Sequence, residues 1–462
     1  MSWVKVGLLA ALVGGGAVGG LYLSGAWPLS SDAVCPTNRP SAETSPEPTR
    51  FAMTALDTKD TLEAPELAAD SSGRVFLAWG SKTAEKERSV FLTRTTDGGR
   101  SFEAPKAVSK AGVYKTPGHG KSGGHERRAT PHLAADGDKF YLGWNAARED
   151  GSAMQVVLAT STDAGGTFGP AQPVHQGVGA KPAFVAMAFG PGGAVGCSWL
   201  DERNGNQQVF ASVRPAGATA FLPEVLVHAG EPGKGVCPCC PTAATFGPDG
   251  TLYVAFRNIN DGHRDIAISQ MRPGQSAFEG PFPVVEKTWK FEGCPHDGPS
   301  LAVIGDTLHV GWMDARSGPQ RCYHAHAKFA DMKFTSHEIN AAGPGTQGNP
   351  KLHADADGNL HAVWEETFGT EPIADSHAGH QHGPPKVGGA VGRAIQYAMM
   401  PAGQTAFETA RAVSPKPGAF QTRPSLAVTA SGSVFVAWNE LDTSGKSVVV
   451  TRLSKSMGGC CP

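Results

Sequence analysis

A seven-bladed β-propeller of four-stranded antiparallel blades, an all-β fold, is what this sequence predicts. Three observations predict it. A phrase reading x-P-x-L-A-x-D-x-x-G-x-x-x-x-A-W recurs seven times, with prolines at Pro65, Pro131, Pro182, Pro241, Pro299, Pro350 and Pro424 and closing aromatics at Trp79, Trp144, Trp199, Phe256, Trp312, Trp364 and Trp438. A supersecondary unit returning roughly every 50–75 residues marks a propeller or an array. The composition agrees: Gly 59 and Pro 35 are high, charged residues at 18% are low, and 40% hydrophobic content can build a core of short strands joined by tight turns. Finally, the seventh repeat holds three strand patterns, Pro424 to Thr429, Val434 to Trp438 and Val448 to Leu453, while Phe51 to Leu56 precedes the first repeat without a partner. That early segment is predicted to supply the missing outer strand of the last blade, which closes the ring and removes open edges.

The N-terminus is separate from the ring. Lys5 is followed by an almost uncharged apolar run from Val6 to Trp27, long enough to span a bilayer as a helix. Residues 1–27 therefore read as a transmembrane anchor or as a signal segment. The single Lys5 places the short side in the cytoplasm, so the body faces the periplasm or exterior, or is secreted if the segment is cleaved. Cys35 suggests lipidation, but Asp32-Ala33-Val34 is a poor match to a lipoprotein cleavage box. Residues 28–50 carry Pro28, Pro36, Pro40, Pro46 and Pro48 among Ser, Thr and Glu, as a flexible linker does. The propeller is predicted over residues 51–456, and a Cys-containing tail over 457–462.

The first blade parses as four strands. Pro65 to Asp70 is short, with small Ala68 and Ala69, as a crowded innermost strand needs. A turn at Ser72-Gly73 leads to the apolar run Val75 to Trp79. Val90 to Thr95 is the third strand and Pro105 to Ser109 the outer one. Between these two lies Thr96-Asp97-Gly98-Gly99-Arg100-Ser101-Phe102, and the second repeat has the equivalent Ser161-Thr162-Asp163-Ala164-Gly165-Gly166-Thr167-Phe168. An Asp carboxylate here can bond its own backbone while glycines permit positive φ. Arg214 to Phe221, Arg272 to Phe278 and Pro401 to Phe407 look like degraded copies without the Asp.

This S-x-D-x-G-x-T-F turn resembles the Asp-box, or BNR repeat, of the sialidase-like β-propeller superfamily. The resemblance covers about residues 51–456 and implies structural roles for Asp97, Gly99, Phe102, Asp163, Gly165 and Phe168. It implies exo-sialidase-type glycoside hydrolysis only if the family's site is present: three arginines clamping a carboxylate, an acid/base carboxylate, and a Tyr nucleophile assisted by Glu. The family's first arginine stands two residues before the inner-strand proline. Those positions here hold Glu63, Ala129, Ala180, Cys239, Asp297, Gly348 and Thr422. Sialidases usually have six blades, a further departure. Arg203, Arg257, Arg316, Arg423, Asp201, Asp314 and Glu365 remain as catalytic candidates on the loop face, while Tyr323 and Tyr397 fall within third strands, where packing is the simpler role.

The loops before each inner strand and after each second strand lie on one face of a propeller, around its channel. They are dense in charge, although the chain carries a net charge of only -2. The bland reading is a solvated face; the functional one is a small polar ligand or glycan held at the channel mouth. Nothing in the charge balance points to nucleic acid.

The cysteines are more specific. Cys237-Pro238-Cys239-Cys240-Pro241 leads into blade four and Cys294-Pro295-His296-Asp297-Gly298-Pro299 into blade five, so they should be neighbours, with Cys322 opening a strand on the same face. The motif pair C-x-C-C-P and C-P-x-x-G-P resembles that of exported bacterial members of the superfamily and implies no function by itself. Clustered thiols in an exported protein read as disulfides, with Cys294 bonded to Cys237, Cys239 or Cys240. The sharper reading is a metal centre, since thiolate-rich sites suit copper(I) or zinc; a redox-active thiol pair is the third. His119, His125 and His132, the run His377, His380 and His382, the pair His324 and His326, and the terminal Cys460-Cys461 add to a copper-handling composition, though loop histidines are common. Cys197 alternates with Val195 and Trp199 and reads as a buried inert thiol. Three classes of function stay open: a binding or accessory module with a soft metal as preferred ligand, a glycoside hydrolase or other glycan-cleaving enzyme, and a protein-interaction platform.

Overall fold

The computed structural model describes residues 50–54, 61–83, 87–109, 112–113, 130–136, 138–147, 154–177, 179–180, 182–368 and 391–453. All belong to one compact unit, Pro46–Pro462. The predicted membrane segment, most of the linker, the tail, Cys35, Cys460, Cys461, His119, His125 and the 375–382 insertion lie outside the described residues. Among the described residues the architecture is all-β, with one short 3-10 turn at Pro191–Gly193, and no helix is long and apolar enough to cross a membrane.

Each sequence repeat folds into an antiparallel set. Repeat 1 pairs Glu66–Ala69 with Val75–Lys82, then Glu87–Thr95, then Lys106–Ala107; the short strands Thr61–Leu62 and Gly112–Val113 extend this sheet to six. Repeats 2 to 5 each form a separate four-stranded sheet, as in repeat 3: Ala183–Phe189, Val195–Asp201, Gln208–Arg214 and Val225–His228. Repeats 6 and 7 join into one eight-stranded sheet through the parallel pairing of Arg393 with Phe420. The outermost strand of repeat 7 is Arg50–Thr54, antiparallel to Gly445–Arg452 with Phe51 opposite Val450. The N-terminal segment thus closes the last sheet, as the missing strand predicted.

The second strands are the most buried elements, because apolar side chains on both faces meet the neighbouring sheets. Trp199, Trp312, Trp364 and Trp438 are fully buried at the repeated position, and Phe256 substitutes in repeat 4. The apolar clusters lie between consecutive repeats rather than within them. One cluster joins Phe76 of repeat 1 to Phe140 of repeat 2, and another joins Leu77 of repeat 1 to Phe435 of repeat 7. The first strands touch in chain order, and that of repeat 7 touches that of repeat 1. Burying a side chain such as Phe435 contributes about 1.5–3 kcal/mol.

The two Asp-boxes staple neighbouring repeats. Asp97 accepts from the backbone of Arg100 at 2.9 Å and Ser101 at 3.1 Å and from both hydroxyls, Ser101 at 2.6 Å and Thr95 at 2.7 Å. Asp163 repeats the pattern with Ser161 and Thr167. These bonds hold both carboxyls well below the usual carboxylate range, the Ser101 hydroxyl first for Asp97 and the Ser161 hydroxyl first for Asp163. Gly99 has φ 88°, and a Cβ there would lie 2.5 Å from the Phe435 ring of repeat 7. The aromatic plugs meet rings: Phe102 against Phe51 at 5.2 Å and Phe168 against Phe140 at 5.9 Å between centroids. Gly165 (φ 76°) offers its carbonyl to Lys106 of repeat 1.

One register differs from the sequence reading. Pro182 was expected to begin repeat 3, but a bulge between Ala183 and Ala186 puts Val185 where Pro350 and Pro424 stand in repeats 6 and 7. The equivalent bulge residues Phe184, Asn349 and Arg423 all have φ near +50°. A bulge adds a residue and re-aims the strand toward the channel. The bland match to a proline concealed that Val185 keeps the same spacing to Trp199.

Candidate functional site

Residues within or just before the first strands of all seven repeats converge on a cavity. Its lining takes Glu66, His132, Val185, Thr242, Pro299, Lys351 and Arg423 from the successive repeats. Of the predicted catalytic candidates Arg423 lines it and the other six do not, so they do not gather there as a clamp. Asp201 accepts the indole N–H of Trp199 at 3.1 Å and the Arg203 guanidinium at 2.7 Å. Asp314 accepts the Trp312 indole at 2.8 Å and Arg316 Nε at 2.9 Å. Arg203 lies over the Phe210 ring at 4.4 Å and Arg316 over Tyr323 at 4.3 Å, so both turn back into their own sheets.

The same bond recurs with Glu366 on Trp364 at 3.2 Å and Glu440 on Trp438 at 3.3 Å. A Trp-x-Asp/Glu signature therefore satisfies buried indoles in four repeats, and sequence reasoning missed it although Trp199-Leu200-Asp201 and its copies are visible. Glu365 accepts from the Arg423 backbone at 2.6 Å, Asn349 Nδ2 at 2.7 Å and Arg393 Nη1 at 2.7 Å, so it fastens repeat 6 to repeat 7. Tyr323 is buried beside Ser317, and Tyr397 beside His361 at 2.9 Å. Burial raises both phenols, that of Tyr397 to about 12, the reverse of what a nucleophile needs.

The cysteine sector is assembled by Arg257, the residue after the repeat-4 aromatic. Its guanidinium is 1% exposed and donates to the carbonyls of Asp297 at 3.1 Å, Arg264 at 2.8 Å and Met313 at 2.7 Å. Its own carbonyl accepts the Cys237 N–H at 3.1 Å. One residue thus holds both cysteine-bearing loops, the Cys237 loop by its main chain and the Asp297 loop by its side chain. They lie so close that a Cβ on Gly298 would sit 2.3 Å from the Pro241 carbonyl oxygen, which explains the glycine of C-P-x-x-G-P.

Three sulfurs meet there. Cys237 Sγ is 3.7 Å from Cys239 Sγ and 3.5 Å from Cys240 Sγ, and the last two are 3.9 Å apart. All three are buried. Cys239 also meets Cys294 and His296, each donor atom lying within 4.8 Å of the others. Arg264 Nη1 donates to Cys237 Sγ at 3.1 Å. Burial opposes the Cys237 thiolate, but the Cys239 and Cys240 thiols and the Arg264 and Arg257 charges outweigh it and hold Cys237 well below the ordinary thiol value. A hydrogen bond from Cys239 lowers Cys294 as well. Cys239 is pushed up by the neighbouring sulfurs, and Cys240 by burial.

Two expectations are corrected. The six described cysteines are unbonded, so the expected disulfide from Cys294 to Cys237, Cys239 or Cys240 is not formed; the triad sulfurs, 3.5–3.9 Å apart, are also beyond the roughly 2.05 Å of an S–S bond. Cys322 does not join the cluster. Its alternation on Arg321–Lys328 points it between sheets, where it packs with Trp289, Met313 and Ile339, and burial raises its thiol. Cys197 is fully buried, with its thiol raised by desolvation, as its alternation indicated.

The sequence also missed a histidine ladder on repeat 5. His309 Nδ1 lies 2.9 Å from His324 Nε2, and His324 Nδ1 lies 3.2 Å from His337 Nε2, with His326 stacked alongside. His324 and His326 share a face, as their alternation allowed.

No protein-family model matches the chain, and no curated protein matches it. Solved structures similar to it include a protein of unknown function from Dyadobacter fermentans, at 11% identity and TM-score 0.49, covering 88% of this chain and 97% of that one. An α-L-arabinanase of Penicillium chrysogenum complexed with arabinobiose is similar at 12% identity and TM-score 0.44, covering 88% and 99%. A leech intramolecular trans-sialidase is similar at 11% identity and TM-score 0.45, covering 87% and 69%. At these levels neither activity nor substrate transfers to this chain.

Proposed function

We propose that this protein is a non-hydrolytic, soft-metal-binding module built on a seven-bladed propeller, with copper(I) as ligand of the Cys237, Cys239 and Cys240 triad. The spacing of the three sulfurs carries this reading. A metal bound to thiolates at about 2.3 Å holds pairs of sulfurs about 3.8 Å apart, and the observed edges are 3.5, 3.7 and 3.9 Å. Soft thiolate donors favour copper(I) and zinc over hard ions. Three thiolates on a monovalent ion carry two net negative charges, which Arg257 and Arg264 beside the cluster balance. Buried charge needs such compensation.

The seven-blade count is supported by the cyclic contact of the first strands and by the apolar cluster shared between repeats 1 and 7. Export is supported by the apolar run of residues 1–27, and tethering by the Pro-rich residues 28–50. Glycoside hydrolysis is disfavoured because Arg203 and Arg316 are pinned by the carboxylates Asp201 and Asp314.

The test is metal and free-thiol content of the full chain, purified in detergent under reducing conditions and exposed in turn to copper(I) and zinc. One copper per chain, lost in Cys237→Ser/Cys240→Ser, supports the reading. Zinc held in preference to copper would replace the ion; no metal, with the thiols oxidised in pairs, would return the sector to a structural staple.

A further inference from the structure

The cluster contains two donor triads, not one. Cys237, Cys239 and Cys240 form the first; Cys239, Cys294 and His296 form the second. They share the Cys239 sulfur, and they differ in access. The first triad is 1–2% exposed, whereas Cys294 and His296 are only half-buried. The second triad's loop is braced from below, where Arg257 holds the Asp297 carbonyl, and from the side, where Gly298 abuts Pro241. His296 itself has φ 55°, a conformation uncommon for a side-chain-bearing residue. Two adjacent sites with a common ligand, one facing water and one sealed, are the geometry of stepwise transfer.

We propose that Cys239, Cys294 and His296 form the acceptor site for copper(I), which then passes to the sealed triad with Cys239 bound throughout. This rests on the metal reading of the buried triad. In the transfer, the bonds from copper to Cys294 Sγ and to the His296 ring break as bonds to Cys237 Sγ and Cys240 Sγ form. Copper stays in the +1 state. Cys237 and Cys240 bind as thiolates, so a proton carried by either leaves as it takes the metal, and Cys294 and the His296 ring, on giving the metal away, can each take one up. The ion is never released to water, because one thiolate holds it at each stage. The donor is a copper(I) complex of a weak, displaceable ligand, for which copper(I)–acetonitrile stands in as probe.

The experiment mixes the full chain with copper(I)–acetonitrile in a stopped-flow instrument and follows the copper–thiolate ultraviolet band, with copper per chain measured at the end point. In Cys294→Ser/His296→Ala, loading is expected to slow by about tenfold or more while the end point stays at one copper. His296→Gln, which leaves every cysteine in place, should slow loading alone, and an unchanged thermal melt would show that the fold is intact. Wild-type loading rates in both variants would overturn the acceptor site while leaving the buried triad standing. Loss of the end-point copper in the double variant would also overturn it, since the five residues would then form a single site. Failure of the wild-type chain to bind copper would overturn the underlying metal reading instead.

Discussion

Arg264 Nη1 donates to Cys237 Sγ across 3.1 Å, and the same guanidinium holds the Phe291 carbonyl at 2.8 Å. A cation fixed beside a buried sulfur stabilises the thiolate. Arg264→Leu should therefore raise the lowest thiol ionisation of the cluster by on the order of one unit, read as thiolate absorbance against pH. An unchanged titration curve would mean that the neighbouring thiols alone set it.

Asp314 should behave as a structural residue. Its carboxylate satisfies the Trp312 indole at the centre of the core. Asp314→Ala would leave that buried N–H unpaired and lower stability by about 1–3 kcal/mol in urea denaturation. Copper loading of the folded variant, well below its melting temperature, should match the wild type; an altered loading rate would contradict the assignment.

Gly298 sets the distance between the two cysteine loops. A Cβ 2.3 Å from the Pro241 carbonyl must push them apart. Gly298→Ala is expected to weaken copper(I) affinity by about tenfold or more in competition with a chromogenic chelator. Affinity equal to the wild type would show that the loops adjust freely.

The strand Arg50–Thr54 closes the last sheet against Gly445–Arg452. Deleting residues 50–54 exposes a row of unpaired backbone groups on that strand, a template for pairing with a second chain. A lower melting temperature and concentration-dependent association in size-exclusion chromatography are expected. A monomer with the original melting point would argue against closure by this strand.

Acid should weaken the fold at repeat 5. Burial, with added repulsion from His326 and Lys328, lowers His309 from an ordinary 6.5 to about 4, and burial holds His324 well below its usual value. The unfolded chain takes up these protons near 6.5 and the folded one only further down. Stability is therefore complete above about pH 6.5 and is lost as the pH falls toward 4, by on the order of 1–2 kcal/mol from His309 at pH 5. His309→Gln should flatten the fall in melting temperature between pH 7 and 5; an identical slope in that variant would point to other groups.

The sequence by itself determined the repeat, the strand pattern within it, the two Asp-boxes, the closing role of the N-terminal strand and the pairing of two cysteine loops at neighbouring repeats. These were legible because alternation, turn chemistry and spacing are local, and because seven copies align one another. What only the tertiary structure decided was contact. Asp201, Asp314 and Glu365 looked like acids for chemistry, and packing gives them to Trp199, Trp312 and Arg393. Cys322 looked like a fifth thiol of the cluster, and the pleat turns it into the space between sheets, because a strand's successive side chains face opposite ways. Val185 took the place expected of Pro182 because a bulge shifts register without a marker in the sequence. The approach of Cys294 and His296 to Cys239 depends on Arg257 and Gly298 bringing two distant loops together. Distances between segments far apart in the chain are fixed by the closed core.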